Sequence, residues 1–277
     1  MTQVPKTLTS DATKNKHILV LGAGSFGTCL AQHLGGLGHS ITLLCRTNEQ
    51  ASSLQTAREN TRYLPGVKLH KSISAATEAG LASKAFDGIL VALPTQSMRK
   101  ALSSLCLDTK YQDLPIICAS KGIESQSLEL PSQIIAESTH GHADSVAILS
   151  GPSFASEVMR AKPTAVCVAS KNSEVVHFWQ QVFHSPFFRT YSSSDPVGVQ
   201  IAGACKNVLA IAAGAAEGLG YGLNARAAIV TRGTMEICAL GQNMGADPMT
   251  FLGLSGFGDI FLTCSSTESR NLSLIHI

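Results

Sequence analysis

The sequence predicts an α/β protein: a doubly wound parallel sheet followed by a second, all-helical domain. Two observations carry this prediction. From His17 to about Ser170, short runs of branched apolar residues alternate with longer segments of helical spacing, as strands joined by crossover helices do. From about Ser192 onward the strand-like runs cease, and the chain turns Ala- and Gly-rich with helical periodicity. The boundaries that follow are a flexible polar arm over 1–16, an α/β domain over 17–192 and a helical domain over 193–277.

The elements follow in order. HILVLG (His17–Gly22) is a first strand that ends in a glycine turn, and a helix runs from about Ser25 to Leu37. Gly38 breaks it, and Ile41–Cys45 is a second strand. DGILVAL (Asp87–Leu93) is a continuous apolar run, as suits a strand buried on both faces. Pro94 ends that run, and a helix over Thr95–Leu105 follows. Leu114–Ser120, Val146–Gly151 and Thr164–Ser170 are the next strands, all read as parallel with right-handed crossovers. SSSDP (Ser192–Pro196) is a linker or helix start, Val197–Gly218 a helix, and Asn224 caps another that ends at Gly245.

Composition narrows the function. With 44% apolar and 14% charged residues, the 277-residue chain has the material for a core and is not disordered. A net charge of +2 is too balanced for a broad basic face, so nucleic acid is not an expected partner. Ile18–Cys45 holds no Lys, Arg, Asp or Glu, but glycines, Gln32, His33 and His39 interrupt it, so no integral membrane segment is expected there. The eight cysteines form no C-x-x-C pair and sit mostly in apolar runs, as reduced thiols of a cytoplasmic protein do. The first sixteen residues lack the apolar stretch of a secretory signal.

The chemistry-bearing residues cluster after predicted strands. Gly22, Gly24 and Gly27 in GAGSFG fit G-x-G-x-x-G between a strand and a helix, the setting in which that pattern binds a dinucleotide. Gly22 allows the tight turn, Gly24 lets a pyrophosphate approach the backbone, and Gly27 lets helix and strand pack, with the helix N-terminus facing the phosphates. At the end of the second strand, where an acidic residue would hold the ribose 2′-hydroxyl of NAD, stands Arg46. An arginine there suits a 2′-phosphate, which leans toward NADP(H); a solvated loop arginine is the alternative.

Lys121 in ASKGI follows a strand at the edge where ligands sit in such sheets, although a plain surface lysine reads the same way. In GPSFASE (Gly151–Glu157), Ser153 suits the cap of a short helix that is either a ligand site or an ordinary turn. Lys206 carries the only charge between Asp195 and Glu217. Its helical face-mates Ala202, Gly203, Leu209 and Ala210 are small or apolar, so it points into a cleft as a desolvated acid, or else snorkels to water. Gly253–Asn271 gathers Gly, Ser and Thr with one aspartate, Asp259, and one arginine, Arg270. Arg270 between Ser269 and Asn271 suits a phosphate monoester, against the plainer reading of a polar loop. His140 and His142 lie in a polar stretch with no third ligand in register, and no metal is expected.

Six of these motifs in this order resemble one family, the bacterial NAD(P)-dependent glycerol-3-phosphate dehydrogenases. They are GAGSFG, YLPG (Tyr63–Gly66), ASKGIE, GPSFASEV, ACKNVLAIAAG with GLNARAA, and GFGDIFLTCSSTESRN. The resemblance spans about residues 17–271. It implies a Rossmann-type domain followed by a helical one, and reversible hydride transfer between NAD(P)H and dihydroxyacetone phosphate, giving sn-glycerol 3-phosphate for glycerophospholipid synthesis. It further implies Lys206 as the acid/base, and Lys121, Gly151, Ser153, Asp259, Ser269, Arg270 and Asn271 as substrate contacts. Ser25, Phe26, Arg46, Tyr63, Lys121, Ala155 and Arg270 are the implied cofactor contacts. Family members continue past the counterpart of Asn271, whereas this chain reads LSLIHI, so the resemblance implies an incomplete helical domain and a homodimer only at full length. The rival expectations are another two-domain lysine-dependent reductase, of the hydroxyacid or ketopantoate type, and a non-catalytic chain that holds a dinucleotide.

Overall fold

The first strand, β1 (His17–Leu21), lies inside the sheet, and its side chains alternate between the two faces. Ile18 and Val20 enter one apolar core and Leu19 and Leu21 another, all four fully buried. The computed structural model describes residues 15–81, 84–105, 111, 113–139, 143 and 146–266. After β1 come α1 (Ser25–Gly36), β2 (Ser40–Leu44), α2 (Asn48–Ala57) and a hairpin of β3 (Glu59–Asn60) and β4 (Leu64–Lys68). Next are β5 (Ile73–Ala76), β6 (Gly88–Val91), α3 (Thr95–Ser104), β7 (Ile116–Cys118), α4 (Pro131–Ser138) and β8 (Val146–Ser150). The α/β part ends with α5 (Ala155–Met159), β9 (Thr164–Ala169), α6 (Ser173–Phe183) and β10 (Phe188–Ser193).

Among the described residues eight strands form one sheet in the order β10-β9-β8-β7-β6-β1-β2-β5. The chain moves outward from β1 through β2 and then, on the other side, through β6, β7 and β8. The point between β1 and β6 is therefore the switch point, outside whose carboxyl edge ligands bind in such sheets. Pairing from β5 through β8 is parallel, as expected, but β8 and β9 pair antiparallel and β10 follows β9. The linking helices differ accordingly: α1, α3, α4 and α6, which join parallel neighbours, have eight to twelve residues, whereas α5 has five.

The sequence reading did not foresee β5, β10 or the β3–β4 hairpin. Both β5 and β10 are edge strands. Phe188 is buried while Tyr191 is half exposed, so β10 shows alternation rather than the continuous apolar run that marks a central strand. The Ser192 boundary accordingly falls inside β10.

Beyond β10 the chain is helical: α7 (Pro196–Gly218), α8 (Gly222–Asn243) and α9 (Asp259–Ser265), with a 3-10 turn at Pro248–Leu252 and a π turn at Leu254–Gly258. Asp195 starts α7 by accepting from Gly198 N–H at 2.9 Å, and it also binds Asp247 N–H and the Thr250 hydroxyl. Helix α8 begins after Tyr221, so Asn224 lies within its first turn rather than at its cap. By length and composition α7 is apolar enough to cross a bilayer. Here its buried face, with Ile201, Ala202, Leu209, Ala210 and Ala213, packs with Ile237 of α8 and Ile260 of α9 into a third core.

Candidate active site

The carboxyl ends of β1, β6, β7 and β8 converge on one edge, and the predicted residues follow them. Gly22 leaves β1 at φ +114°, and a Cβ there would stand 2.6 Å from the Ala92 carbonyl oxygen. A Cβ at Gly27 would overlap the Gly22 carbonyl, so α1 can sit this close to the turn only with glycine at both places. Around Gly24 the space is open, and α1 starts there with no side chain capping its N–H groups. Open space beside a helix N-terminus at the switch point fits the pyrophosphate of a dinucleotide. Ser25 opens α1, and the partly buried Phe26 packs on the core behind it.

The rim of this turn is tied down by residues that were not singled out in the sequence. Buried Asn60 donates to the Ala23 carbonyl at 3.0 Å and to the Thr28 hydroxyl at 2.8 Å, which docks the β3–β4 hairpin, with Tyr63, beside the glycine turn. Tyr63 is 41% exposed, with the Arg62 guanidinium over its ring. Gln50 of α2 reaches the same Ala23 carbonyl at 3.4 Å and accepts from the Arg46 backbone. Arg46 thus stands next to the turn, with its side chain in solvent.

At the end of β8, Gly151 turns the chain at φ +140°. Ser153 does not cap α5: its hydroxyl donates to the Gly151 carbonyl at 3.0 Å, and the cap position belongs to Phe154. The turn is closed locally by the serine, which leaves the first N–H groups of α5 without a side-chain cap. Ala155 starts that helix and lies against α1 through its carbonyl, which the Cys29 thiol approaches at 3.6 Å. Two buried hydroxyls at this edge, Thr95 at the start of α3 and Ser150 at the end of β8, have no hydrogen-bond partner among the described residues.

The charged centre joins three distant segments. Asp259, only 1% exposed at the start of α9, accepts from Lys206 Nζ through Oδ1 at 2.6 Å and from Lys121 Nζ through Oδ2 at 2.5 Å. Lys206 sits on α7 among buried Ala202, Gly203, Leu209 and Ala210 and its amine is held by buried Asp259, so it points inward rather than snorkelling to water. A Cβ at Gly203 would lie 3.2 Å from Ser150 Oγ and 3.5 Å from the Lys121 stem, which is how α7 comes this near the sheet edge. Burial, reinforced by the Lys121 ammonium, pushes Lys206 down to about 8, and Asp259 opposes the fall. The arrangement is a charged amine poised to give up its proton near neutral pH, held by a carboxylate and flanked by a second cation. Ser269, Arg270 and Asn271, like His140 and His142, lie outside the described residues.

A glycine turn fit for a dinucleotide and a buried lysine–carboxylate couple thus lie on the same sheet edge, with helices built against it. Comparison with known proteins adds the family. The family models for the N-terminus and C-terminus of NAD-dependent glycerol-3-phosphate dehydrogenase match residues 17–176 and 195–275. A glycerol-3-phosphate dehydrogenase (NAD(P)+) of Leptospira biflexa is 45% identical over 91% of this chain and 76% of its own. That of Lawsonia intracellularis is 44% identical over 92% and 74%. The crystal structure of glycerol-3-phosphate dehydrogenase from Coxiella burnetii superposes with a TM-score of 0.85 at 35% identity, over 94% of this chain and 80% of that one. The chain belongs to the NAD-dependent glycerol-3-phosphate dehydrogenase family.

Proposed function

We propose that this chain reversibly reduces dihydroxyacetone phosphate to sn-glycerol 3-phosphate with NAD(P)H, using Lys206 as the acid. The observation that carries the assignment is the Lys206–Asp259–Lys121 couple, buried at the carboxyl edge that also carries the glycine cradle. Bound NAD(P)H supplies the hydride. The glycine turn Gly22–Gly27, with Ser25 and Phe26, would hold the pyrophosphate. Arg46 would meet the 2′-phosphate of NADP(H), and Tyr63 and Ala155 would be further cofactor contacts.

The protein's own work is electrostatic. As the carbonyl carbon is reduced, negative charge gathers on its oxygen, and the Lys206 ammonium stabilises that charge and then passes it a proton from Nζ. Asp259 fixes the direction of Nζ and keeps the amine protonated despite burial. Lys121 supplies a second positive charge to the substrate, and Gly151 and Ser153 border it. Ser269, Arg270 and Asn271 complete the phosphate site, whose binding energy orients the carbonyl. In the direction of oxidation the same lysine, neutral above about pH 8, takes the hydroxyl proton.

The test is turnover of NADPH on addition of dihydroxyacetone phosphate, with NADPH binding followed by fluorescence. Lys206→Ala should cut turnover at least about 100-fold and leave cofactor binding intact. Turnover within about tenfold of the unmodified chain would remove Lys206 from this role.

The same reading divides the chain into a cofactor domain that closes with β10 at Ser193 and a substrate domain that opens with α7 at Pro196, and places it in the cytoplasm, which the seven described free cysteines support. Exposed Val208, Phe257 and Phe261 on the helical side support a homodimer of the full-length form, to be checked by sedimentation equilibrium.

A further inference from the structure

Lys121 belongs to a stretch without regular structure, Lys121–Leu130, between β7 and α4. A lysine carried on such a stretch reaches a fixed point only if its backbone is held on both sides. Before it, Ala119 N–H donates to the Val91 carbonyl at 2.8 Å and the Ser120 hydroxyl to the Leu93 carbonyl at 2.6 Å. After it, α3 takes hold. The Gln96 amide donates to the Ile123 carbonyl at 2.7 Å and accepts from Ser125 N–H at 3.0 Å and its hydroxyl at 2.8 Å. One side chain thereby satisfies a backbone acceptor and a backbone donor two residues apart, as a neighbouring strand would.

One turn further along α3, Arg99 forks onto Glu124 with Nε at 3.0 Å and Nη2 at 2.9 Å from Oε2. The same guanidinium binds Glu129 and, at 2.5 Å, Glu137 of α4. Three carboxylates gathered on one cation repel one another as soon as that cation is lost, and two of them sit on the Lys121 stretch.

We propose that Gln96 and Arg99 are positioning residues for the reaction: they clamp the Lys121–Leu130 stretch so that Lys121 shares Asp259 with Lys206. Neither touches the reacting atoms. They act through Lys121, whose ammonium must lie close enough to Lys206 to weaken its hold on the proton. Among the described residues, the titratable groups that face Lys206 are Lys121, Asp259 and Cys264, whose buried thiol is pushed up to about 11 while Lys206 and Arg226 draw it back. Releasing Lys121 leaves Asp259 to Lys206 alone and removes the competing charge. Both changes raise the pH at which Lys206 gives up its proton.

The inference rests on Lys206 being the acid, and its test needs no turnover, so the two can fail separately. The full chain, without cofactor, is labelled by trace acetic anhydride across pH 6–11, and the extent of acetylation at Lys206 is read by mass spectrometry. Lys121→Met sets the full displacement. Gln96→Ala and Arg99→Ala should move Lys206 in that direction, lowering its labelling at pH 8 at least twofold, and Arg99→Lys, which has the charge without the fork, should fall between. A core variant on the far side of the sheet, Trp179→Phe, serves as a control for general loosening. Unchanged labelling of Lys206 in the clamp variants overturns the proposal, and so does an equal change in Trp179→Phe at a matched loss of thermal midpoint.

Discussion

Replacing Asp259 with asparagine keeps the shape of the couple and deletes its charge. In the folded protein the carboxylate lies 2.6 Å from one ammonium and 2.5 Å from another, and both lysine side chains are mostly buried. Removing one partner of a buried ion pair typically costs about 3–5 kcal/mol, because the charge left behind has no counterpart. If about 3 kcal/mol of that falls on Lys206, its protonated form weakens by roughly two pH units, since one unit is 1.36 kcal/mol. Its proton is then lost near pH 6 rather than about 8. With Lys206 as the proposed acid, its protonated form is the active one in ketone reduction, so kcat/KM should fall as pH rises through this value, and that profile reports the free enzyme. The assay is NADPH oxidation against dihydroxyacetone phosphate from pH 5 to 9. Asp259→Asn should lose its activity about two units lower than the unmodified enzyme and be slower by about two orders of magnitude at pH 8. A basic limb that stays in place, at whatever absolute rate, would refute the claim that Asp259 holds the proton on Lys206.

Other consequences can be tested beside it. Arg46→Asp should lower the ratio of kcat/KM for NADPH to that for NADH by at least tenfold, because the charge that meets a 2′-phosphate is reversed; an unchanged ratio removes Arg46 from cofactor choice. Gly24→Ala, whose Cβ would enter open space at an ordinary backbone conformation, should shift stability by no more than about 1 kcal/mol yet weaken NADPH binding at least tenfold in a fluorescence titration. If binding survives, the pyrophosphate does not lie there. His33, its ring tilted against Phe188 and held down to about 4 by burial, stays neutral in the fold while an unfolded histidine takes a proton near pH 6.5. Its contribution is therefore present above about 6.5 and is lost as pH falls toward 4, by at most about 3 kcal/mol. Denaturant melts at pH 7 and 4.5 should show a smaller difference in His33→Phe than in the unmodified chain, and an equal difference would exclude the histidine.

The central strands were legible because burial on both faces leaves an uninterrupted apolar run, as in Gly88–Val91 and Val146–Ser150. The edges were not, since β5 and β10 keep one side in solvent and write a weaker pattern. Lys206 could be found because its helical neighbours are all small or apolar, a local signal. That Asp259 bridges two lysines could not be read from their spacing: Lys121 lies 138 positions away and Lys206 53, and only packing of α7 against β8 and of α9 against α7 brings them together. Asn60 and Gln96 were missed for a related reason. Each is a polar residue that satisfies the backbone of a distant loop, and nothing in its own neighbourhood announces it.

The reversal of β9 and β10 has a consequence for which changes in chain length the protein tolerates. Because these strands run against the others, the chain leaves the sheet at the edge opposite the ligand edge, and α7 must climb the height of the sheet before it is useful. Val199 still belongs to the sheet's own core, Gly203 passes the end of β8, and Lys206 arrives about 15 Å above the first turn. Pro196–Lys206 is thus a spacer of fixed length. One residue inserted or removed within it rotates everything beyond by about 100° and lifts or drops it by 1.5 Å, which takes the amine off Asp259 altogether. Surface loops of this fold can grow and shrink over evolutionary time, but this stretch can change only by substitution.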